Sequence, residues 1–275
     1  MRIQDQSHRV AEDDGLRSIY MRQLIQAEHS LDPQIGNVTI PKVLIQFRHD
    51  LAALPTDVHE CLESWVPLTA CGFERLLFDD RKARAFIQRH FGDAHVTAFD
   101  QCGHPAMRCD YFRLCYIFTN GGFYVDADEV YNGGDCSYLY SDNRLKIQPL
   151  CYDTRTDEMV SCDLFIGQNA CSPDWIFYVN NNPIVAPAFH PIIRSALAHS
   201  TRIILSHAGG RIDIQDTTGP GNLTASLVQH SIASCAEAKN QDFLLLRNWE
   251  GISTSRWPLS YRDDERNWRL WNQDC

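Results

Sequence analysis

Short apolar runs alternate with helical patterns through the first part of the chain. Residues 40–47 hold a short apolar run that follows Pro41, and residues 73–78 hold a second apolar run, so both predict buried strands. Residues 58–65 and 82–91 carry apolar positions at helical spacing. Alternation of strands and helices is typical of parallel strands joined by crossover helices, so the pattern predicts an α/β fold.

The clearest local signals lie between residues 105 and 129. Pro105 suits the first position of a helix, which the apolar spacing extends over 106–119, and the Asn-Gly-Gly sequence at 120–122 ends it. The aromatic and β-branched residues 123–125 predict a short buried strand. That strand leads directly into the acidic sequence Asp-Ala-Asp-Glu at 126–129.

The second half of the chain has a less regular pattern. Apolar residues near 164–166 predict a strand, and the Asn-Asn-Asn-Pro sequence at 180–183 predicts a loop. Residues 191–199 and 223–235 carry helical spacing, and a tryptophan-rich tail follows.

The two ends of the chain suggest a simple domain organisation. Residues 1–36 carry apolar positions at helical spacing behind an acidic run at 12–14, which predicts a helical N-terminal extension. Neither an internal repeat nor a low-complexity linker interrupts the remainder, so residues 37–275 are expected to form a single domain.

Asp126 and Asp128 are the first candidates for chemistry. Carboxylates spaced i, i+2 point to the same side if the extended geometry continues. Open α/β sheets bind ligands beyond the carboxyl ends of their strands, where these two residues are expected. Their oxygens suit Mg²⁺ or Mn²⁺, which bridge phosphates. The alternative is a solvated acidic loop without a ligand.

Asp110 and Arg113 are spaced i, i+3 on the helix predicted over 106–119, so they share one face. A local surface ion pair is one interpretation, and such pairs contribute little stability. The apolar neighbours of the pair favour another interpretation, an acid and a guanidinium at the edge of a site. Such a pair hydrogen-bonds hydroxyl groups or a diphosphate.

Charge and composition narrow the class of ligand. Lys and Arg total 25 and Asp and Glu total 35, a net charge of −10, which disfavours a broad nucleic-acid surface. A single diphosphate stays compatible, because a divalent cation supplies positive charge locally. The hydrophobic fraction of 44% is that of a globular protein rather than a disordered one.

The sequence also indicates the cellular compartment in which the protein is expected. It has no apolar run long enough to span a membrane and no secretory signal, so no transmembrane segment is expected. Its 11 cysteines include no CxxC pair, which favours reduced thiols over a disulfide framework or a zinc site. We therefore expect a cytoplasmic protein, bacterial in origin, or an effector delivered into a host cytosol.

Several segments together resemble one enzyme family. Residues 108–114 and 119–128 resemble the glycosyltransferase sugar-binding region that contains the DXD motif. Initiating α-1,6-mannosyltransferases and bacterial capsule or lipooligosaccharide transferases belong to this family, and the glucosyltransferase domains of large clostridial toxins are related to it. The further matching segments are residues 40–46, Asn181-Asn182 with Ala186-Pro187 and His190-Pro191, and Thr218-Gly219-Pro220 with Thr224.

The resemblance implies a GT-A type nucleotide-sugar-binding fold with a mostly parallel central sheet. It implies Mn²⁺ or Mg²⁺ as cofactor, a UDP- or GDP-sugar as donor, and transfer with retention of the anomeric configuration. The acceptor would be a glycan, a protein or a small molecule.

The resemblance also assigns roles by position. Asp126 and Asp128 would contact the metal, and Asp110 and Arg113 would hold donor-sugar hydroxyls and phosphate, so these four are the catalytic candidates. Ile45 and Gln46 would flank the base and Tyr124 would pack beside the nucleoside. The expected substrate-binding residues are Ile45, Gln46, Tyr124, Asn181, Asn182, Gly219 and Trp257.

The C-terminal tail departs from many family members, which have a histidine there that residues 247–253 lack. The toxin-like relatives use Glu, Ser and Trp, so Glu250 is the expected third metal ligand, with Ser253 and Trp257 beside it. The flexible composition of residues 247–261 suggests a lid, whereas their tryptophans suggest a permanently anchored segment.

Two other functions stay open from the sequence. A metal-dependent phosphohydrolase would use the carboxylates to activate water and would hydrolyse the donor without an acceptor. A non-catalytic protein would bind the nucleotide sugar without turnover.

Overall fold

The computed structural model describes residues 3–27, 39–207, 209, 212–256 and 258–260. The strands are β1 (Val43–Phe47), β2 (Glu74–Phe78), β3 (Gly122–Tyr124), β4 (Glu129–Tyr131), β5 (Leu145–Asp153), β6 (Glu158–Val160), β7 (Trp175–Ala186), β8 (Phe243–Leu245) and β9 (Ser253–Ser255). The α-helices are α1 (Ile3–Glu12), α2 (Asp14–Gln26), α3 (Thr56–Ser64), α4 (Asp80–His90), α5 (Asp93–Gln101), α6 (Pro105–Asn120), α7 (Pro191–Ser206), α8 (Ile214–Thr217) and α9 (Pro220–Ala236).

Within the described residues, one sheet of seven strands forms the centre of the molecule, in the order β2-β1-β3-β7-β5-β6, with β8 paired to β5. Strand β1 is parallel to both β2 and β3, as the strand–helix alternation predicts. Strand β7 is antiparallel to β3 and to β5. Strand β5 also pairs with β6 in the antiparallel direction and with β8 in the parallel direction. The predicted α/β class is confirmed.

The two faces of the sheet are covered by different layers. Ile45 faces the larger apolar cluster, which includes residues of α6, α7 and α9, whereas its neighbour Leu44 faces a smaller cluster with Trp65 and Trp249. Neighbouring residues of a strand point to opposite faces, so β1 contributes to both clusters. The carboxyl ends of β1 and β3 therefore lie between a helical layer and the C-terminal segment.

The N-terminal helices pack on the rest of the chain. Helix α1 packs against α9, and α2 packs against β7. The Tyr20 hydroxyl lies 3.1 Å from Ser231 Oγ of α9, and Ser18 Oγ accepts a hydrogen bond from the backbone N–H of Phe177 in β7. The predicted helical extension thus contains two helices that contact the α/β layers.

Two predicted elements of the second half are wrong. The predicted strand at 164–166 is a π-helical turn, Asp163–Gly167, which its own backbone hydrogen bonds close and which buries Phe165 against Phe177. The predicted loop at 180–183 lies inside β7. The pairing of β7 with β5 shifts register across this segment, and asparagine amides there make long-range hydrogen bonds that no local pattern indicates.

Candidate functional site

The acidic sequence lies at the carboxyl edge of the parallel strands. Strand β3 runs beside β1, and the pairing continues as the Val125 N–H donates to the Ile45 carbonyl at 3.0 Å. The next residue, Asp126, follows at the strand end, where Gln46 Nε2 of β1 lies 3.5 Å from its carbonyl oxygen. The structure therefore brings the carboxylates to the edge that the sequence predicts.

The end of α6 determines how this helix meets β3. Gly121 caps the helix with φ of 67°. A Cβ atom there would lie 2.7 Å from the backbone nitrogen of Ala188, so both the backbone angle and the close approach require glycine. The tight connection turns the chain from α6 directly into β3, which leaves the face of α6 that carries Arg113 against the end of that strand.

Arg113 lies at the centre of the site. Its Nη2 atom is 2.8 Å from Asp126 Oδ1 and 2.9 Å from Asp110 Oδ1, and Nη1 donates to the Asn181 carbonyl at 2.6 Å. The guanidinium carbon lies 4.4 Å from the centre of the Tyr124 ring. Arg113 and Asp110 are both buried. The interpretation of these two residues as a surface ion pair is therefore wrong.

Asp110 connects three distant segments of the chain. Its Oδ1 accepts from Asn181 Nδ2 of β7 at 2.9 Å, and its Oδ2 accepts from the Thr218 hydroxyl at 3.3 Å. Burial raises the pKa of Asp110 to about 7, although the charge of Arg113 opposes the shift. Gly219, beside Thr218, packs tightly on α8, where a Cβ atom would lie 3.0 Å from the Ile214 carbonyl oxygen.

Asp126 is held on its backbone and on its side chain. The backbone N–H donates to Asn182 Oδ1 at 3.0 Å. The carboxylate Oδ1 accepts from the Tyr124 hydroxyl at 2.9 Å and from Arg113. The Asp126 side chain is nevertheless 28% exposed. Its carboxylate is therefore held by Tyr124 and Arg113 on the protein side and reaches solvent on the other side.

Sequence reasoning missed Glu129, which is buried directly behind the two aspartates. Its Oε1 accepts from Asn182 Nδ2 at 3.0 Å, and its Oε2 accepts from the Ser253 hydroxyl of β9. Burial raises the pKa of Glu129 to about 8, and the nearby charges of Asp128 and Asp126 raise it further. The only signal in the sequence was its place next to the acidic pair.

Three of the expected substrate-binding residues are buried in this structure. Ile45 and Tyr124 have no exposed surface, and their expected places beside the base and the nucleoside stay predictions. Both lie beneath the site, and Tyr124 supports the Asp126 carboxylate. Gln46 is also buried, with its amide directed at the Asp126 carbonyl. Trp257 lies outside the described residues.

Glu250 has other partners in this structure. Its Oε1 accepts from Gln148 Nε2 at 2.9 Å and lies 3.6 Å from the sulfur of Cys162. Across residues 3–27, 39–207, 212–256 and the few other described positions, no group of three or more His, Cys, Asp or Glu residues is arranged to hold a metal ion. A three-carboxylate site that includes Glu250 is therefore not assembled here.

A smaller donor set is compatible with the acidic sequence. Mg²⁺ commonly binds through one or two carboxylates together with substrate phosphates, and it keeps several waters. Asp126 and Asp128 are both partly exposed and carry hard oxygen donors. Both carboxylates lie close enough to the buried Glu129 for their charges to raise its pKa. These residues fit a divalent cation that arrives with a diphosphate.

The C-terminal segment docks onto the same turn. Strand β9 pairs with β4, and the backbone N–H of Arg256 donates to the Asp128 carbonyl at 2.8 Å. The Arg256 side chain bonds Glu60 of α3 at 2.6 Å, and the Ser260 N–H donates to Asp57 Oδ2 at 2.7 Å. In this structure the described part of the tail is attached to the molecule, and its motion as a lid stays a prediction.

Comparisons with known proteins give a likeness in structure only. No family model and no curated protein matches the sequence. The solved structure "PaToxG Glycosyltransferase" is similar with 12% identity and a TM-score of 0.47, over 97% of this chain and 95% of that one. "WbbM bifunctional glycosytransferase apo structure" is similar with 15% identity and a TM-score of 0.37, over 78% of this chain. This chain spans only 40% of that second protein.

The length and hydropathy of the helices bear on whether any of them could span a membrane. Through the described residues, every helix is either too short or too polar to cross a membrane.

Proposed function

We propose that the protein is a glycosyltransferase that moves a sugar from a nucleoside diphosphate sugar to a nucleophile of an acceptor. The observation that carries the proposal is the buried Arg113, which holds Asp110 on one side and Asp126 on the other at the carboxyl edge of β1 and β3. This edge is where open α/β sheets bind nucleotides.

The two sides of Arg113 suit the two parts of such a donor. Asp110, Asn181 and Thr218 form a buried set of hydrogen-bonding groups of the kind that recognises sugar hydroxyls. Asp126 and Asp128 form the partly exposed acidic turn, which is suited to a divalent cation and, through it, to the diphosphate. The proposal therefore places the sugar toward α6 and the diphosphate toward the acidic turn.

A divalent cation, Mn²⁺ or Mg²⁺, would neutralise charge on the departing diphosphate when bound. Asp126 and Asp128 would hold it, and Arg113 would keep the Asp126 carboxylate oriented. Retention at the anomeric carbon is proposed from the family resemblance, as is the choice of a UDP- or GDP-sugar. The acceptor is proposed to be a glycan, a protein or a small molecule.

The test is calorimetric binding of UDP and GDP with Mn²⁺ to the wild-type protein and to the Asp128→Asn variant. We expect the substitution to abolish Mn²⁺-dependent binding, because it removes one of two carboxylate ligands. Asp93→Asn, an exposed carboxylate at the start of α5, serves as the matched control and should bind like wild type. Equal affinity in wild type and Asp128→Asn would contradict the metal assignment.

Turnover assays distinguish the remaining alternatives. Transfer of labelled sugar to an acceptor supports the glycosyltransferase. Hydrolysis of the donor to a nucleoside monophosphate and a sugar phosphate, at the same rate with and without acceptor, would indicate the phosphohydrolase. Binding without either product would indicate a nucleotide-sugar-binding protein.

A further inference from the structure

Three buried polar side chains connect the acidic turn to the C-terminal segment. Asn182 belongs to β7, Glu129 begins β4, and Ser253 begins β9. Their exposed fractions are 4%, 4% and 1%. Because none of them reaches bulk water, their polar atoms need partners within the protein, and Glu129 is the partner that Asn182 and Ser253 share.

The contacts form a continuous chain. Asn182 uses both ends of its amide, since Oδ1 accepts from the Asp126 backbone N–H at 3.0 Å and Nδ2 donates to Glu129 Oε1 at 3.0 Å. The Ser253 hydroxyl donates to Glu129 Oε2 and lies 3.1 Å from the Val130 carbonyl oxygen. This chain of hydrogen bonds thus runs from the backbone of the acidic turn to Ser253 of strand β9, which pairs with β4.

The turn depends on this chain for its shape. Its local backbone hydrogen bond, from the Glu129 N–H to the Asp126 carbonyl, is long at 3.3 Å. The amide of Asn182 instead spans the turn and holds both of its ends, while β9 covers it from the side. Loss of one buried partner leaves another polar group unsatisfied, which is costly enough to shift the turn.

We propose that Asn182, Glu129 and Ser253 are positioning residues that hold the carboxylates of the acidic turn in their ligand-binding geometry and couple them to β9. This inference rests on the proposed function, because it assigns a role toward the diphosphate and its cation. Coupling between two parts of a protein is reciprocal in free energy. A change at Ser253, which touches neither aspartate side chain, therefore weakens diphosphate binding.

The experiment uses the full chain and four variants. Ser253→Ala and Asn182→Ala break the chain at its far end and at its centre. Glu129→Gln preserves it, because the Gln amide oxygen accepts from Asn182 while its NH₂ group donates to the Ser253 hydroxyl. Thr254→Ala removes the neighbouring exposed hydroxyl of the same strand, which bonds Asn132 and not the turn, and is the control.

Two readouts separate positioning from a loss of folding. Calorimetry with Mn²⁺ compares UDP and GDP with UMP and GMP, which lack the second phosphate. Hydrogen exchange follows the backbone amides of residues 126–131. We expect Ser253→Ala and Asn182→Ala to weaken diphosphate binding about tenfold and monophosphate binding less than twofold, with faster exchange in the turn. Glu129→Gln should stay within about twofold of wild type for every nucleotide.

Failure of the positioning role and failure of the proposed glycosyltransferase function give different results in these measurements. If wild type binds UDP or GDP with Mn²⁺ but Ser253→Ala and Asn182→Ala bind equally well, the positioning role is wrong and the proposed function stands. Equal weakening of diphosphates and monophosphates also overturns the role, because it indicates general destabilisation. If wild type binds neither diphosphate with Mn²⁺, the proposed function fails and this inference fails with it.

Discussion

At the scale of single residues, the site depends on Arg113. One guanidinium contacts two carboxylates from different elements, and all three groups meet away from bulk water apart from the exposed part of Asp126. Buried ion pairs contribute little net stability when intact, because desolvation offsets the attraction. Removing one partner is a different matter, since a buried charge then has no counterpart.

Arg113→Ala is accordingly expected to lower the free energy of unfolding by about 3–5 kcal/mol at pH 8, which is above the pKa of about 7 of its buried partner Asp110. Denaturant titration followed by circular dichroism measures the change. Arg84→Ala is the control, because Arg84 forms its bidentate pair with Asp100 in solvent and should leave the unfolding midpoint in place. Similar effects of the two substitutions would mean that Arg113 is no more important to stability than a surface arginine.

The pKa of Asp110 predicts a pH dependence. Its usual value is 3.8, and burial raises it to about 7 in the folded protein. Between these values the unfolded chain ionises this group while the folded protein keeps it protonated, so its contribution to stability is present at low pH and is lost as the pH rises through about 7. Asp110→Asn removes the titrating group, because an amide does not ionise in this range of pH. The contacts are kept, since the amide oxygen can accept from Arg113 and the NH₂ group can donate to the Thr218 hydroxyl oxygen.

The stability of Asp110→Asn relative to wild type should therefore increase from pH 4 to pH 7 and level off above. Denaturant unfolding at half-unit intervals of pH tests this. Parallel curves for the two proteins would show that Asp110 titrates in the folded state as it does in the unfolded chain.

At the scale of elements, the C-terminal segment packs apolar side chains on the core. Trp249 is buried against Phe123 of β3, with ring centres 6.0 Å apart, and Ile252 is buried nearby. The pairing of β9 with β4 then follows within a few residues. This packing favours a segment attached to the core, and the motion of residues 247–261 as a lid stays a prediction.

Trp249→Ala should destabilise the protein by about 3–5 kcal/mol, because it opens a cavity beneath β3. Trp249→Phe, which keeps an aromatic ring in the same place, should cost clearly less. Thermal unfolding of both variants measures the difference. An alanine variant as stable as wild type would show that the tryptophan is not an anchor and would favour the mobile lid.

At the scale of the whole molecule, charge governs ligand binding. With a net charge of −10, the chain repels a bare diphosphate, and the acidic turn adds to that repulsion locally. A divalent cation reverses the sign at the one place where the diphosphate is proposed to bind.

Nucleoside diphosphate and Mn²⁺ together should therefore stabilise the protein, by about 2.7 kcal/mol at one hundred times the dissociation constant. The nucleotide in EDTA should give little stabilisation. Thermal shift with UDP and with GDP, each with Mn²⁺ or EDTA, measures both. Equal shifts in Mn²⁺ and EDTA would show that binding does not require the cation.

Elements with local signals could be predicted from the amino-acid sequence. Pro105 and the glycines at 121–122 predicted where α6 begins and ends, and the aromatic residues that follow predicted β3. These signals together placed Asp126 at the carboxyl end of that strand. These features succeed because helix caps and short-range spacing act over a few residues, and a buried parallel strand carries its own apolar signature.

The groups that meet at the site come from distant parts of the chain, and no sequence pattern predicted their contacts. Arg113 contacts the carbonyl of Asn181, 68 positions away, and Ser253 contacts Glu129, 124 positions away. The tertiary fold also covers Ile45 and Tyr124 and brings Glu250 to Gln148. The physical reason is that these contacts depend on strand order and register in the sheet, which bring polar groups together without any periodicity along the chain.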